Sequence, residues 1–105
     1  MKNLEIKIFV VKTEITTEIQ EAELKNTIKT LVKTFEGLTQ IPFSGFWLNE
    51  QKQIEEDNGK IWLIYTTHEI DEREKEAFDR IMLQIKATTK QKIQAYAINN
   101  EMFFV

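Results

Sequence analysis

The stretch that decides the fold is Asn58 to His68, NGKIWLIYTTH. It reads as a β-strand, but its apolar residues do not alternate with polar ones: Ile61, Leu63 and Tyr65 take one parity, Trp62 and Ile64 the other. A strand that is apolar on both sides needs cover on both sides. The question for the rest of the chain is what supplies the two covers.

Immediately upstream, Asn58-Gly59 is the strongest hairpin signal in the sequence, because a two-residue turn of this kind needs positive φ at both positions. The reading therefore starts the strand at Lys60, runs it to Thr66, and treats Gln53 to Asp57 as a short extended piece. Before that, LTQIPFSGFWLNE (38–50) contains Pro42, which suits a central strand poorly, so the expectation is a loop leading to an edge strand over Gly45 to Asn49.

Further out, LEIKIFVV (4–11) alternates as a strand, with Leu4, Ile6, Ile8 and Val10 on one side and Glu5, Lys7, Phe9 and Val11 on the other. From Thr17 the period becomes helical: Leu24, Ile28, Leu31, Val32 and Phe35 share a stripe, Thr17 and Gln20 fit a capping box, and Gly37 is placed to end the helix. A second helix opens at the capping pair Asp71 and Glu74 and buries Ala77, Phe78, Ile81, Met82 and Ile85. KIQAYAI (92–98) is a strand, Asn99-Asn100 a turn, and EMFFV (101–105) pairs back or folds across the sheet.

The order strand, helix, strand, strand, helix, strand predicts an α+β fold, the ferredoxin-like βαββαβ two-layer sandwich, as a single domain over residues 1–105. Two helices cover one face of one antiparallel sheet. Either parity of the Asn58–His68 strand then leaves large side chains on the helix-free face. Phe9, Val11, Trp62, Ile64, Tyr96 and Ile98 are the expected interface residues of a homo-oligomer formed through that face, since contiguous apolar patches mark interfaces and closed homo-oligomers are the commonest assemblies.

Composition bounds the function. The 105 residues are 42% hydrophobic and 30% charged, with a formal net charge of −3, no cysteine and one histidine. An acidic chain lacks the clustered positive field that grips nucleic acid or anionic membranes. Without cysteine there is no thiolate chemistry or cysteine-ligated metal, and no metal or other cofactor is expected. No apolar run approaches the roughly 18 residues that cross a bilayer, and Glu5 and Lys7 interrupt any signal-peptide core, which points to the cytoplasm.

Candidate site residues are few. His68, just past a strand end, can act as acid, base or ligand donor, against the plainer reading of a loop histidine bonded to its surroundings. Trp47 and Trp62 can line a small-molecule pocket, against the plainer reading in which Trp47, following Gly45, closes the end of the core. Glu55, Glu56 and Asp57 are consecutive on an extended chain, so they point to alternate faces and do not converge on one cation. Phe9, Trp62 and Tyr96 on neighbouring strands invite comparison with RNA-binding sheets, but the basic signature of that module is missing.

The run GLTQIPFSGFWLNEQKQIEED (37–57) resembles a family of small bacterial proteins of unknown function, in the pattern Gly37-Leu38-Thr39, five residues, Gly45, one residue, Trp47. That resemblance implies a ferredoxin-like core and no assigned activity. The general shape also looks like trimeric nitrogen-signalling proteins and dimeric ferredoxin-like monooxygenases. The expectation is a homo-oligomeric domain that binds a small molecule or protein partner without catalysis, near Trp47, Trp62 and His68. The alternative is a small cofactor-free enzyme, a monooxygenase or isomerase, with His68 as acid or base and Trp47 as pocket wall.

Overall fold

The computed structural model describes residues 3–12 and 17–105. The elements are β1 (Leu4–Val11), α1 (Glu18–Phe35), β2 (Thr39–Leu48), β3 (Ile54–Thr66), α2 (Glu72–Thr88), β4 (Ala95–Ile98) and β5 (Glu101–Phe104). They form one antiparallel sheet in the order β2-β3-β1-β4-β5. This is the ferredoxin-like arrangement, extended at one edge by β5. Each helix connects two strands that flank a third, since β3 lies between β1 and β2 and β1 lies between β3 and β4.

Register settles which parity meets the helices. Ile6 pairs with Ile64 and Ile98, and Ile8 with Trp62 and Tyr96, so these residues share a face. Ile6, Ile8, Val10, Trp62, Ile64 and Tyr96 are buried in one core with Leu31 and Phe35 of α1 and Phe78, Met82 and Ile85 of α2. Both helices therefore lie on that face, and each fully buried large side chain contributes about 1.5–3 kcal/mol. The opposite face presents Phe9, Val11, Ile41, Ile61, Leu63 and Tyr65.

Three local expectations are corrected. Asn58-Gly59 is no turn; it lies inside β3, which pairs without interruption with β2 from Leu48↔Ile54 to Thr39↔Leu63. The hairpin closes earlier, where Asn49 Oδ1 accepts from Gln51 and Gln53 N–H at 2.9 and 3.0 Å and Lys52 takes φ 64°. A long ladder outweighs the preference of two residues for a turn, and Asn49 offers its own side-chain-bonded turn instead. Pro42 sits within β2, opposite Lys60, which the sheet tolerates because β2 is an edge strand. Helix α1 ends in the left-handed region at Glu36 (φ 72°), one residue before Gly37.

At the other edge, EMFFV pairs along β4 through a two-residue turn with Asn99 and Asn100 at φ 49° and 70°. It widens the sheet and does not cover its open face. Beyond Asn58, β2 and β3 continue as a two-stranded arm on which Phe46, Leu48 and Ile54 are exposed, and the molecule measures 45 Å along its longest axis.

Candidate functional site

On its helix side the β2–β3 ribbon carries Pro42, Ser44, Asn58 and Lys60 in its middle, between the Gln40–Trp62 pair and the exposed Phe46, Leu48 and Ile54 of the arm. Helix α1 starts above this region without filling it. Between them lies a cleft of about 500 Å³, with Val10, Leu24, Ile28, Pro42 and Trp62 as its apolar lining and Gln20, Gln40, Ser44, Asn58 and Thr88 as polar lining. Lys12, Glu21, Lys25 and Lys60 supply its charges.

Several of these groups are held in place. Trp62 forms the floor and is only 1% exposed; its indole Nε1–H donates to Gln40 Oε1 at 3.1 Å. Gln20 completes the capping box with Thr17, accepting the Thr17 N–H at 2.8 Å, while its Nε2 donates to the Thr88 carbonyl at 3.0 Å. One side chain thus fixes the start of α1 against the end of α2. Ser44 Oγ donates to Asn58 Oδ1 at 2.7 Å across the ribbon. The site is a largely preformed pocket wall with amide and hydroxyl groups at its rim.

The expected site residues do not gather. Trp47 stands on the helix-free side of the arm opposite Glu55 and is 47% exposed. Trp62 faces the helices. His68 lies beyond the other end of β3, so eleven strand residues, Glu56 to Thr66, roughly 36 Å at about 3.3 Å each, separate it from the level of Trp47. The His68 ring bonds Glu74 and meets the Phe35 ring edge-on at 5.8 Å, and the His68 backbone N–H donates to Thr66 Oγ1 at 3.0 Å. These contacts fasten the β3–α2 loop to the first turn of α2. Of the expected interface residues, Phe9 and Val11 are on the helix-free face, whereas Trp62, Ile64 and Tyr96 are core and Ile98 packs against them. Those four are turned inward because the helices cover their parity.

A polar cluster escaped the sequence reading. Tyr96 Oη donates to Asp79 Oδ1 at 2.6 Å and accepts from Lys75 Nζ at 2.5 Å, and Lys75 also reaches Asp79 at 3.0 Å. Burial alone would raise the Asp79 carboxyl, but hydrogen bonds from Tyr96 and Lys75 and the Lys75 charge hold it below the ordinary carboxylate value. For Lys75, burial opposes ionisation, and the same partners overcome it and raise its pKa. Burial and the Asp79 acceptor push Tyr96 up. The spacing of Lys75 and Asp79 was legible as a helical pair; the role of Tyr96 depends on the parity of β4.

No protein-family model and no curated protein matches the chain in sequence. Solved structures do resemble it. A phage SAM lyase in its apo state aligns with a TM-score of 0.63 at 14% identity, over 97% of this chain and 87% of that one. The phage SAM lyase in complex with S-methyl-5'-thioadenosine aligns at 0.61 with 9% identity, over 98% and 87%. The periplasmic divalent cation tolerance protein CutA from Archaeoglobus fulgidus aligns at 0.55 with 14% identity, over 95% and 84%. At these identities the likeness defines the class, a small ferredoxin-like α+β domain, and nothing narrower. Among the described residues no helix is long and apolar enough to cross a membrane.

Proposed function

We propose that this protein is a self-associating domain that binds a small molecule in the cleft floored by Trp62. The observation that carries the reading is the cleft itself: about 500 Å³ within one chain, inside the range of roughly 300–1,000 Å³ typical of small-molecule sites. An enzyme of the monooxygenase or isomerase kind also calls for such a cavity. Its expected residues are elsewhere, however, since neither Trp47 nor His68 lines the cleft, and the Ser44 hydroxyl donates to Asn58 Oδ1. Binding is the better reading.

Self-association rests on the helix-free face, where Ile41, Tyr65, Met102 and Phe104 are 42–66% exposed, and on the arm, because a two-stranded ribbon is marginally stable by itself. A second copy of the chain covers both. Two measurements test the proposal. Native mass spectrometry of the purified protein is expected to show a small-molecule adduct or binding from a panel of nucleosides and aromatic acids, lost on Ser44→Phe; a panel that leaves mass and melting temperature unchanged counts against the cleft. Sedimentation at micromolar concentration is expected to show an oligomer, and a monomer removes that half of the proposal.

A second reading is favoured by the phage SAM lyase likeness, which spans nearly the whole chain and includes a complex with S-methyl-5'-thioadenosine. On it, the chain breaks the bond between the sulfonium sulfur and Cγ of the methionine part of S-adenosylmethionine, the methionine carboxylate displacing the sulfur, so that S-methyl-5'-thioadenosine and homoserine lactone are the two products. Incubating the chain with S-adenosylmethionine and following S-methyl-5'-thioadenosine by chromatography decides the matter, with no release above the non-enzymatic background ending this reading.

A further inference from the structure

We infer that the ligand of the Trp62 cleft is an apolar or aromatic body that carries an anionic group, a carboxylate or phosphate. The inference rests on the proposal that the cleft is a ligand site and adds the chemistry of its occupant. The chain as a whole is acidic, with a formal net charge of −3. The cleft is not: among the described residues three lysines, Lys12, Lys25 and Lys60, line it against one carboxylate, Glu21, a formal balance of +2.

These lysines come from the end of β1, from α1 and from β3, so their meeting is a product of the fold and not of a basic run in the sequence. Among the described residues none of the three is in an ion pair. Glu21 stands one helical turn before Lys25, a spacing that commonly pairs, yet they form no ion pair, and the cation stays available. Below the lysines, Leu24, Ile28 and Pro42 give apolar contact. A ligand that matches both layers puts its body against these groups and its charge toward the rim, where the field of opposite sign draws it in. A cation of the same size meets three like charges instead.

A matched series separates charge from shape: 1-naphthylacetate, 2-(1-naphthyl)ethanol and 1-naphthylmethylamine share a ring system and differ in charge. Calorimetric titration of the full chain at low salt is expected to rank acetate over alcohol over amine, with about five- to tenfold between acetate and amine, shrinking as salt screens the exposed lysines. Lys25→Gln with Lys60→Gln is expected to abolish the ranking and leave the affinity for the alcohol unchanged. Ser44→Phe, which narrows the cleft from an exposed strand, is expected to weaken all three and so locates the site. Binding of the alcohol with equal or tighter binding of the amine, or a ranking that survives the double lysine variant, overturns the anion assignment alone. Binding of none of the three overturns the assignment together with the cleft reading beneath it.

Discussion

Gly59 lies against the backbone of Val10: a β carbon at Gly59 would sit 2.0 Å from the Val10 carbonyl oxygen and 2.9 Å from its carbon. The glycine is needed for close approach of β1 to β3, not for a turn. Gly59→Ala is therefore expected to destabilise the fold by about 2–3 kcal/mol, since neither strand backbone can yield without breaking the ladder. Gly45→Ala, whose added carbon meets only Phe43 at 3.8 Å, is expected to stay within about 0.5 kcal/mol of wild type. Urea denaturation of the two variants side by side checks the contrast, and similar midpoints would contradict it.

The Tyr96, Asp79 and Lys75 cluster ties β4 to α2, and its removal is expected to be pH-dependent. A carboxyl with a depressed pKa gives its full stabilisation above the unfolded value, near 3.8, and loses it as pH falls through the lower folded value. Lys75, with a raised pKa, contributes fully below 10.5 and loses its contribution as pH rises through the higher folded value. Asp79→Asn is thus expected to be less stable than wild type at neutral pH, with the gap closing in acid below the usual carboxylate range. Tyr96→Phe is expected to cost about 1.5–3 kcal/mol, the value of a hydrogen bond to a charged group. Denaturation curves between pH 2.5 and about 9 measure both, and a gap for Asp79→Asn that is flat with pH would refute the linkage.

How far the sequence could be read follows from these elements. The capping box of α1 was legible, and both of its bonds are present, at 2.8 and 3.1 Å. That of α2 is half-formed: Asp71 Oδ1 accepts the Glu74 N–H at 2.8 Å, but Glu74 turns its carboxylate to His68. Local signals sufficed for helices and for strand order. They failed where partners distant in sequence decide. Neither parity of Ile61–Tyr65 is polar, so only the helices, placed by their own stripes, select Trp62 and Ile64 for the core. Asn58-Gly59 failed for a similar reason, because ten paired residues of β2 override a two-residue preference. The cleft left no motif at all, since its lysines, amides and hydroxyls come from the end of β1 and from α1, β2, β3 and α2.

The Trp62 indole depends on Gln40 from the neighbouring edge strand for its buried N–H. Gln40→Ala, on an exposed residue, is expected to cost about 1–2 kcal/mol, much of it from the donor left without a partner. In a Trp47→Phe background Trp62 is the only indole, so its emission reports the change directly. A blue-shifted spectrum identical with and without Gln40, at unchanged stability, would show that the bond contributes nothing to the floor of the cleft.

Assembly through the helix-free face makes the last prediction. Tyr65 and Phe104 are 66% and 65% exposed on that face, so Tyr65→Lys with Phe104→Lys removes no core packing and is expected to change the stability of a single chain by about 0.5 kcal/mol or less. In an oligomer the same two changes bury two added cations in the contact, the one at position 65 directly opposite Glu5, which already pairs with Lys7, and the dissociation constant is expected to rise at least about tenfold. Leu83→Lys is the control: it is 50% exposed on α2, away from the proposed contact, and should leave assembly intact. Sedimentation velocity across a concentration series separates the outcomes. If the double variant and the control associate like wild type, subunits meet elsewhere and the apolar face remains in water; if the control alone associates, that face is the contact.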